Sequence, residues 1–455
     1  MMKDTQFDKG ILEKIAREEH VQVNTLENGL RDGSIVILKN HDRSDYMGIG
    51  DRGIPGEALT TKINVNVGLS SASPSINRIL ESVGGLQEMA PGRLTIMDLS
   101  SYAVDGKDDF TTSRRAIMEA TGVPVGTVPI YEAVHHSRKK SGNQMDVNLD
   151  GKLMIEMAEK QAEEGVSFMV AHVGINKATH EVLMRQARPV VSKGGGLTNA
   201  YIATSGRENP FVERFDDLLA ILEKHNVVLN IGSALRSGST IYNDMAQIAE
   251  LESAAEFARY ANKRGVQAVI EGPGHIPLAG LQYLAKLARE KDGREIVTEY
   301  RGIKIDGIAD FVKLQRTITG PRPYFTLGPL PSDNTVRRDG TSGAIGAAIG
   351  TQNGLSWLCY ISDMEHVGMP QEKHVRRGFE DFLVAAKVGD LAKGQPKELY
   401  ANFENAQRGC LDVNDRRVAR KIDYCSICSR EYCPIELNPG LQPINELLVI
   451  NDVPR

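Results

Sequence analysis

The chain has 455 residues, 41% hydrophobic and 25% charged, with a net charge of −5. That composition is ordinary for a globular protein, allows one large domain with appendages, and carries no basic footprint for nucleic acid. No run of roughly 18 apolar residues suggests a membrane span, "MMKDTQFDKGILEKIAREEH" lacks the apolar core of a secretory signal, and five cysteines are too few for a disulfide framework, which points to a reducing cytoplasm.

Taken in chain order, residues 1–60 read as a helical lead-in segment with one short strand, "SIVILKN". From 61 to 400, short apolar runs ending in Gly, Ser or Pro alternate with helix-like stretches. The expected strands are "KINVNVG" (62–68), "LTIMDLS" (94–100), "PVGTVPIY" (124–131), "SFMVAHVG" (167–174), "RPVVSKGGG" (188–196), "VVLNIGS" (227–233), "QAVIEGPGH" (267–275), "PYFTLGPL" (323–330) and "SWLCYIS" (356–362). Between them, segments such as "GKLMIEMAEKQAEEG" and "DMAQIAELESAAEFARYANKRG" space apolar residues by three and four, as helices do. Strand–helix alternation implies βαβ units and a parallel sheet. Their number predicts an α/β fold, a (β/α)8 TIM-like barrel, and no G-x-G-x-x-G follows the first strand to suggest a dinucleotide fold. Residues 289–320 make the connection counted here as seventh to eighth strand unusually long. From 401 to 455 the barrel rhythm stops, and a polar segment carries Cys425, Cys428 and Cys433 at the spacing C-x2-C-x4-C.

Barrel active sites form at the C-terminal ends of the strands. Those ends hold Asn66, Met97 with Asp98, Tyr131, His172, Ser192 with Gly194, Arg236, Glu271 with His275, and finally His366. Each alone has a structural reading: a strand-end histidine is usually a satisfied core residue, a methionine is usually packing, and "SKGGG" reads equally as a flexible loop or a phosphate cradle. Their coincidence across so many strands favours function. In "EGPGHIP" and "MEHVGMP" an imidazole is flanked by glycine and proline, an arrangement that suits a divalent metal with open positions. The cysteine triplet fits part of a zinc site, a redox pair, or a [4Fe–4S] cluster with one iron left unligated. Such an iron can be chelated by S-adenosylmethionine, whose reductive cleavage yields a radical.

From about residue 5 to 435 the chain resembles the phosphomethylpyrimidine synthase family of radical S-adenosylmethionine enzymes, through "KINVNVG", "TIMDLS", "VPVGTVPIYEA", "AEEGVSFMVAHVG", "IEGPGHIPL", "FTLGPL", "LCYISDMEHVGMP" and the closing cysteine motif. The resemblance implies a (β/α)8 barrel in a homodimer, and a pocket for 5-aminoimidazole ribotide made by Asn66, Met97, Tyr131, His172, Ser192, Lys193, Gly194, Arg236 and Glu271. It makes Glu271 and His172 candidates for proton transfer, His275 and His366 ligands of a divalent metal, zinc, and Cys425, Cys428 and Cys433 ligands of the [4Fe–4S] cluster. It also implies an external electron donor such as ferredoxin or flavodoxin, and no nucleic-acid or membrane partner.

The match fails at particular places. The thiamine enzymes of the family read S-R-G where this chain has "SKG", and G-D-G-L-R-P-G where it has "GSALRSG". Phe325 replaces a tyrosine, and "RDGTSGAIG" lacks a histidine of the family pattern. Lysine gives a point charge and not a bidentate fork, and Ser233 removes a carboxylate. Loss confined to the pocket, with histidines and cysteines intact, resembles the paralogous 5-hydroxybenzimidazole synthases of cobamide lower-ligand synthesis. That product is the expectation from sequence, with the thiamine pyrimidine phosphate as its alternative. A non-radical metal-dependent lyase or hydrolase and a non-catalytic iron–sulfur protein are the remaining classes.

Overall fold

The computed structural model describes residues 7–399, apart from Pro74, 104–108, 144, 187, 241–244 and parts of 277–306, together with four positions beyond, 401, 431, 432 and 437. The cluster cysteines lie outside the described residues.

The lead-in opens with helices Lys9–Glu19 and Val23–Asp32 and continues into two strands, β1 (Ile35–Leu38) and β2 (Met47–Gly50), paired antiparallel. One strand was expected here; the second, "MGIG", is short and glycine-rich, with no alternation of its own to signal it. Alternation in β1 sends Val36 and Leu38 into the main core, while Ile35 and Ile37 pack with Leu12, Ile15 and Leu26 in a smaller one. The Gln267 side chain, just before a barrel strand, accepts from Ile37 N (2.7 Å) and donates to Ile37 O (3.1 Å). The hairpin therefore lies at the N-terminal mouth of the barrel. Lys62, at the start of the first barrel strand, ties helix Lys9–Glu19 to the same end through Glu19 (2.6 Å).

Eight parallel strands close the barrel: β3 (Lys62–Val67), β4 (Leu94–Asp98), β5 (Val125–Thr127), β6 (Phe168–Ala171), β7 (Val228–Ile231), β8 (Ala268–Gly272) and, after four short strands, β13 (Tyr324–Leu327) and β14 (Trp357–Cys359). The expected fold is the one observed. The intervening strands β9 (Gln282–Tyr283), β10 (Leu287–Lys291), β11 (Arg294–Thr298) and β12 (Lys304–Ile305) pair β10 with β11 and β9 with β12, both antiparallel. The long connection thus joins the sixth and seventh barrel strands, and its end, Ile308–Thr319, is a helix packed on helices Met245–Lys263 and Asp339–Gln352.

The strand count differed because "RPVVSKGGG" forms no strand. Ser192 caps helix Lys193–Ser205, its hydroxyl accepting from Gly195 N (3.1 Å). Serine at the cap satisfies an orphan amide, and the glycines weaken a strand. "PVGTVPIY" is likewise only half strand. Pro129 starts helix Pro129–Ser141, where its missing N–H costs nothing, so Tyr131 sits in a helical first turn.

Inside the barrel, Phe168 and Phe325 pack on Trp357 with ring centroids 4.8 and 4.6 Å apart. Trp357 Nε1 donates to Thr95 Oγ1 (3.0 Å), which donates on to Asn64 Oδ1 (3.1 Å). Gly126 makes room for this layer, since a Cβ there would stand 2.1 Å from the Phe168 ring. The aromatic floor fills the barrel and leaves the C-terminal mouth for the site.

Candidate active site

At that mouth the loop after β7 meets β8. Arg236 Nη1 donates to Glu271 Oε1 (2.7 Å), and Ser233 N donates to Glu271 Oε2 (3.2 Å). Burial raises the Glu271 carboxyl's pKa, opposed by the Arg236 charge. Burial works against the guanidinium too, but Glu271 and neighbouring groups outweigh it and hold it charged. Arg236 also acts on Tyr131, His172, His275 and Cys359, so these side chains form one electrostatic unit.

His172 follows directly on β6 and is buried. Burial first, and Arg236 second, push its pKa down to about 3; it is a neutral imidazole at physiological pH. Its Nε2 meets Ser192 Oγ at 3.4 Å, while Nδ1 is buried with no protein partner. An orphaned ring nitrogen in such a place is suited to a ligand's hydrogen bond. Gly194 lies flat against the ring, and a Cβ there would come within 2.3 Å of His172 Cε1. The Gly194 N–H serves the Tyr131 hydroxyl, whose pKa burial pushes up to about 12, so it stays protonated. Lys193 Nζ stands 4.3 Å over the Tyr131 ring. Solvent reaches Lys193, yet burial of its inner side and the Arg138 charge draw its pKa down to about 8.

Across the mouth, Asn66 and Met97 are register partners on β3 and β4. Asn66 Nδ2 lies 3.0 Å from Cys359 Sγ, and Asn64 Nδ2 donates to Asn66 Oδ1 (2.9 Å). Burial pushes the Cys359 thiol's pKa up to about 12, so the group is a neutral thiol. Asp98, next to Met97, is occupied otherwise: it accepts from Ser100 N and Oγ and lies 3.7 Å from Arg114.

Two residues of the site were not singled out from sequence. Cys359 was visible only as the end of an apolar strand. Glu250, on helix Met245–Lys263, is 2% exposed and accepts from Leu235 N (3.0 Å), Ala234 N, Ser233 Oγ (3.3 Å) and Gln247 Nε2 (2.9 Å). It clamps the loop that delivers Arg236 and Ser233 to Glu271. Burial, against these hydrogen bonds, raises its pKa to about 7. Its available signal was a carboxylate on the helix face that carries Ala246, Gln247, Ser253 and Ala254.

His275, bridged to Leu330 just past β8, and His366, in the turn after β14, bring their rings to 5.8 Å between centroids. Burial first draws the His275 pKa down to about 4, keeping the ring neutral as a metal ligand must be. His366 Nδ1 lies 3.3 Å from the buried Asp339 carboxylate, leaving Nε2 for coordination. A carboxylate behind a ligating histidine fixes its tautomer and orientation. The pair therefore fits a divalent ion. No group of three or more His, Cys, Asp or Glu able to hold a metal occurs among the described residues. No helix among the described residues is long and apolar enough to cross a membrane.

Comparison with known proteins adds to this geometry. The radical SAM ThiC family model matches residues 3–290 and 278–423. A phosphomethylpyrimidine synthase of Thermus thermophilus is 34% identical over 93% of this chain and 92% of its own length. The proteins of that name from Methanocaldococcus jannaschii and from a strain of Methanococcus maripaludis are 33% and 35% identical, over 92% and 96% of this chain and 94% and 98% of theirs.

Proposed function

The chain belongs to the radical SAM ThiC family, which implies S-adenosylmethionine and a [4Fe–4S] cluster, and on that premise we propose that it rearranges 5-aminoimidazole ribotide. Cys425, Cys428 and Cys433 would hold the cluster and His275 with His366 a divalent metal, zinc. The protein would act as a homodimer in the cytoplasm, reduced by a ferredoxin or flavodoxin. The observation that carries the reading is the convergence of Asn66, Tyr131, His172, Arg236 and Glu271 at one barrel mouth beside the His275–His366 pair.

When bound, the cluster would supply the electron that splits S-adenosylmethionine to a radical able to take a hydrogen atom from the substrate, and the metal would polarise a substrate oxygen. The chain's own residues do the rest. Neutral His172 offers Nδ1 to a substrate polar group. Glu271, with its pKa raised by burial, is suited to receive and return a proton. Arg236 keeps that carboxylate in place and stabilises negative charge that develops beside it. Tyr131, protonated, and the apolar side chain of Met97 beside Asn66 shape the pocket and restrict water.

The relatives' shared name favours the phosphorylated hydroxymethylpyrimidine of thiamine synthesis as the product. One observation favours 5-hydroxybenzimidazole. The Ser233 hydroxyl is turned to Glu250 (3.3 Å) and the Phe325 ring lies against Trp357 (4.6 Å). Neither presents the carboxylate or phenol that the thiamine enzymes carry at these positions. The test is anaerobic reconstitution with iron and sulfide, then S-adenosylmethionine, reductant and ribotide, with product mass spectrometry. Phosphorylated pyrimidine or 5-hydroxybenzimidazole decides between the readings. Formation of 5′-deoxyadenosine with neither product would refute both.

A further inference from the structure

The loop after β7 carries Arg236 into the site and is pinned on both sides of it. Glu250 holds the side before Arg236, at Ala234 and Leu235. After Arg236 the chain turns at Gly238, whose φ of 70° favours glycine and where a Cβ would stand 2.6 Å from Val191 Cγ1. Past that turn it meets Asp333. Thr240 N donates to both carboxylate oxygens (2.9 and 3.1 Å), and the hydroxyls of Ser239 and Thr240 each donate to Oδ2 (2.9 Å). Ser237 Oγ donates to Ser239 O (3.0 Å) and accepts from Ser239 N (3.2 Å), which leaves little slack between Arg236 and this second clamp. Asp333 itself follows closely on Leu330, whose N donates to Gly274 O (2.6 Å) and whose O accepts from Ile276 N (2.8 Å). Those two bonds bracket His275. Burial opposes the charge on Asp333, yet the bonds from Thr240 and Ser239, with His275 nearby, hold its pKa below the ordinary carboxylate range.

We propose that Asp333 is a positioning residue of the reaction: it ties the loop that carries Arg236 to the segment that brackets His275, and so keeps the guanidinium on Glu271. The inference rests on the reading of Glu271 as the group that receives and returns a proton. Asp333 is exposed at the rim, so hydrogen bonds and not packing give it this hold. Released from the clamp, Arg236 withdraws from Glu271, and a displacement of about 1 Å at a reacting centre costs up to about 100-fold in rate.

The test compares the full-length wild type with Asp333→Ala and Asp333→Asn, all taken through the same anaerobic reconstitution and checked for an unchanged far-UV spectrum. The Glu271 carboxyl is titrated by 13C NMR of glutamate-labelled protein, its signal assigned with Glu271→Gln, and kcat and KM are measured with aminoimidazole ribotide. Arg236 lowers the Glu271 pKa, so losing the clamp in Asp333→Ala should raise it by about one pH unit. Losing the Asp333 charge alone acts in the opposite direction, since a nearby anion raises a carboxyl's pKa. The sign therefore separates the two causes. Tyr131, Tyr324, Cys359 and Glu250 also feel the Glu271 charge, and all four stay in place in both variants. In Asp333→Ala kcat should fall about tenfold or more with a smaller change in KM. Asp333→Asn keeps one oxygen for Thr240 N and should recover most of the rate. An unmoved or lowered Glu271 pKa in Asp333→Ala overturns the clamp, whatever the activity. A raised pKa in that variant, with no ribotide turnover by the wild type, sustains the clamp and refutes the reaction; ribotide turnover with the titration unmoved does the reverse.

Discussion

Glu250→Gln isolates the loop clamp. In the folded protein burial lifts this carboxyl from its ordinary 4.5 to about 7, a difference of about 3 kcal/mol at ~1.4 kcal/mol per pH unit. Between pH 4.5 and about 7 the unfolded chain has released this proton while the folded chain still holds it. Stability therefore falls as pH rises through that window and levels off above it. The buried His172 and His275, with pKa values drawn down to about 3 and 4, act in the opposite sense, but they are common to both proteins and cancel in the difference. Glutamine keeps the shape and cannot ionise. Its amide nitrogen must face at least one of the donors on Ala234, Leu235, Ser233 or Gln247, a mismatch of about 1–3 kcal/mol. At pH 5 the variant should be less stable by about 2 kcal/mol. By pH 8 the wild type's lead should have shrunk by about 3 kcal/mol, leaving the two equal or reversed. The assay is urea denaturation of both proteins, chelated free of metal, at pH 5, 6, 7 and 8. A constant offset across that range would show that Glu250 does not titrate with folding, and the account of the clamp would fall.

Gly194→Ala would press a methyl to 2.3 Å from His172 Cε1. Overpacking of about 1–3 kcal/mol should displace the imidazole and lower kcat/KM at least about tenfold, whereas full activity would mean that the ring is free to move. Asp339→Asn should weaken divalent-metal binding about 10–100-fold by loosening His366, as read by competition with a chelator; unchanged affinity would remove Asp339 from the site. Cys428→Ala should abolish 5′-deoxyadenosine formation with the far-UV spectrum preserved, and any retained cleavage would contradict the cluster assignment.

Much of the fold was legible because it rests on local pattern. Apolar runs of strand length between helices of period 3.6 located all eight barrel strands, and a glycine- and proline-flanked imidazole marked each of His275 and His366. "SKGGG" misled because an apolar run before glycines reads the same whether it pairs or only leads into a helix cap. Glu250 escaped because a helix carboxylate is normally solvated, and only the returning loop shows that four donors converge on it. The sequence by itself determined the barrel, the residue types at its mouth and the cysteine spacing, since each depends on neighbours a few positions apart. Tertiary structure alone decided that Arg236 is paired, that His172 keeps an orphaned nitrogen, and that Ser239 and Thr240 meet Asp333. Charge pairing and desolvation depend on distances through space between residues far apart in the chain, and those are set only when the barrel closes.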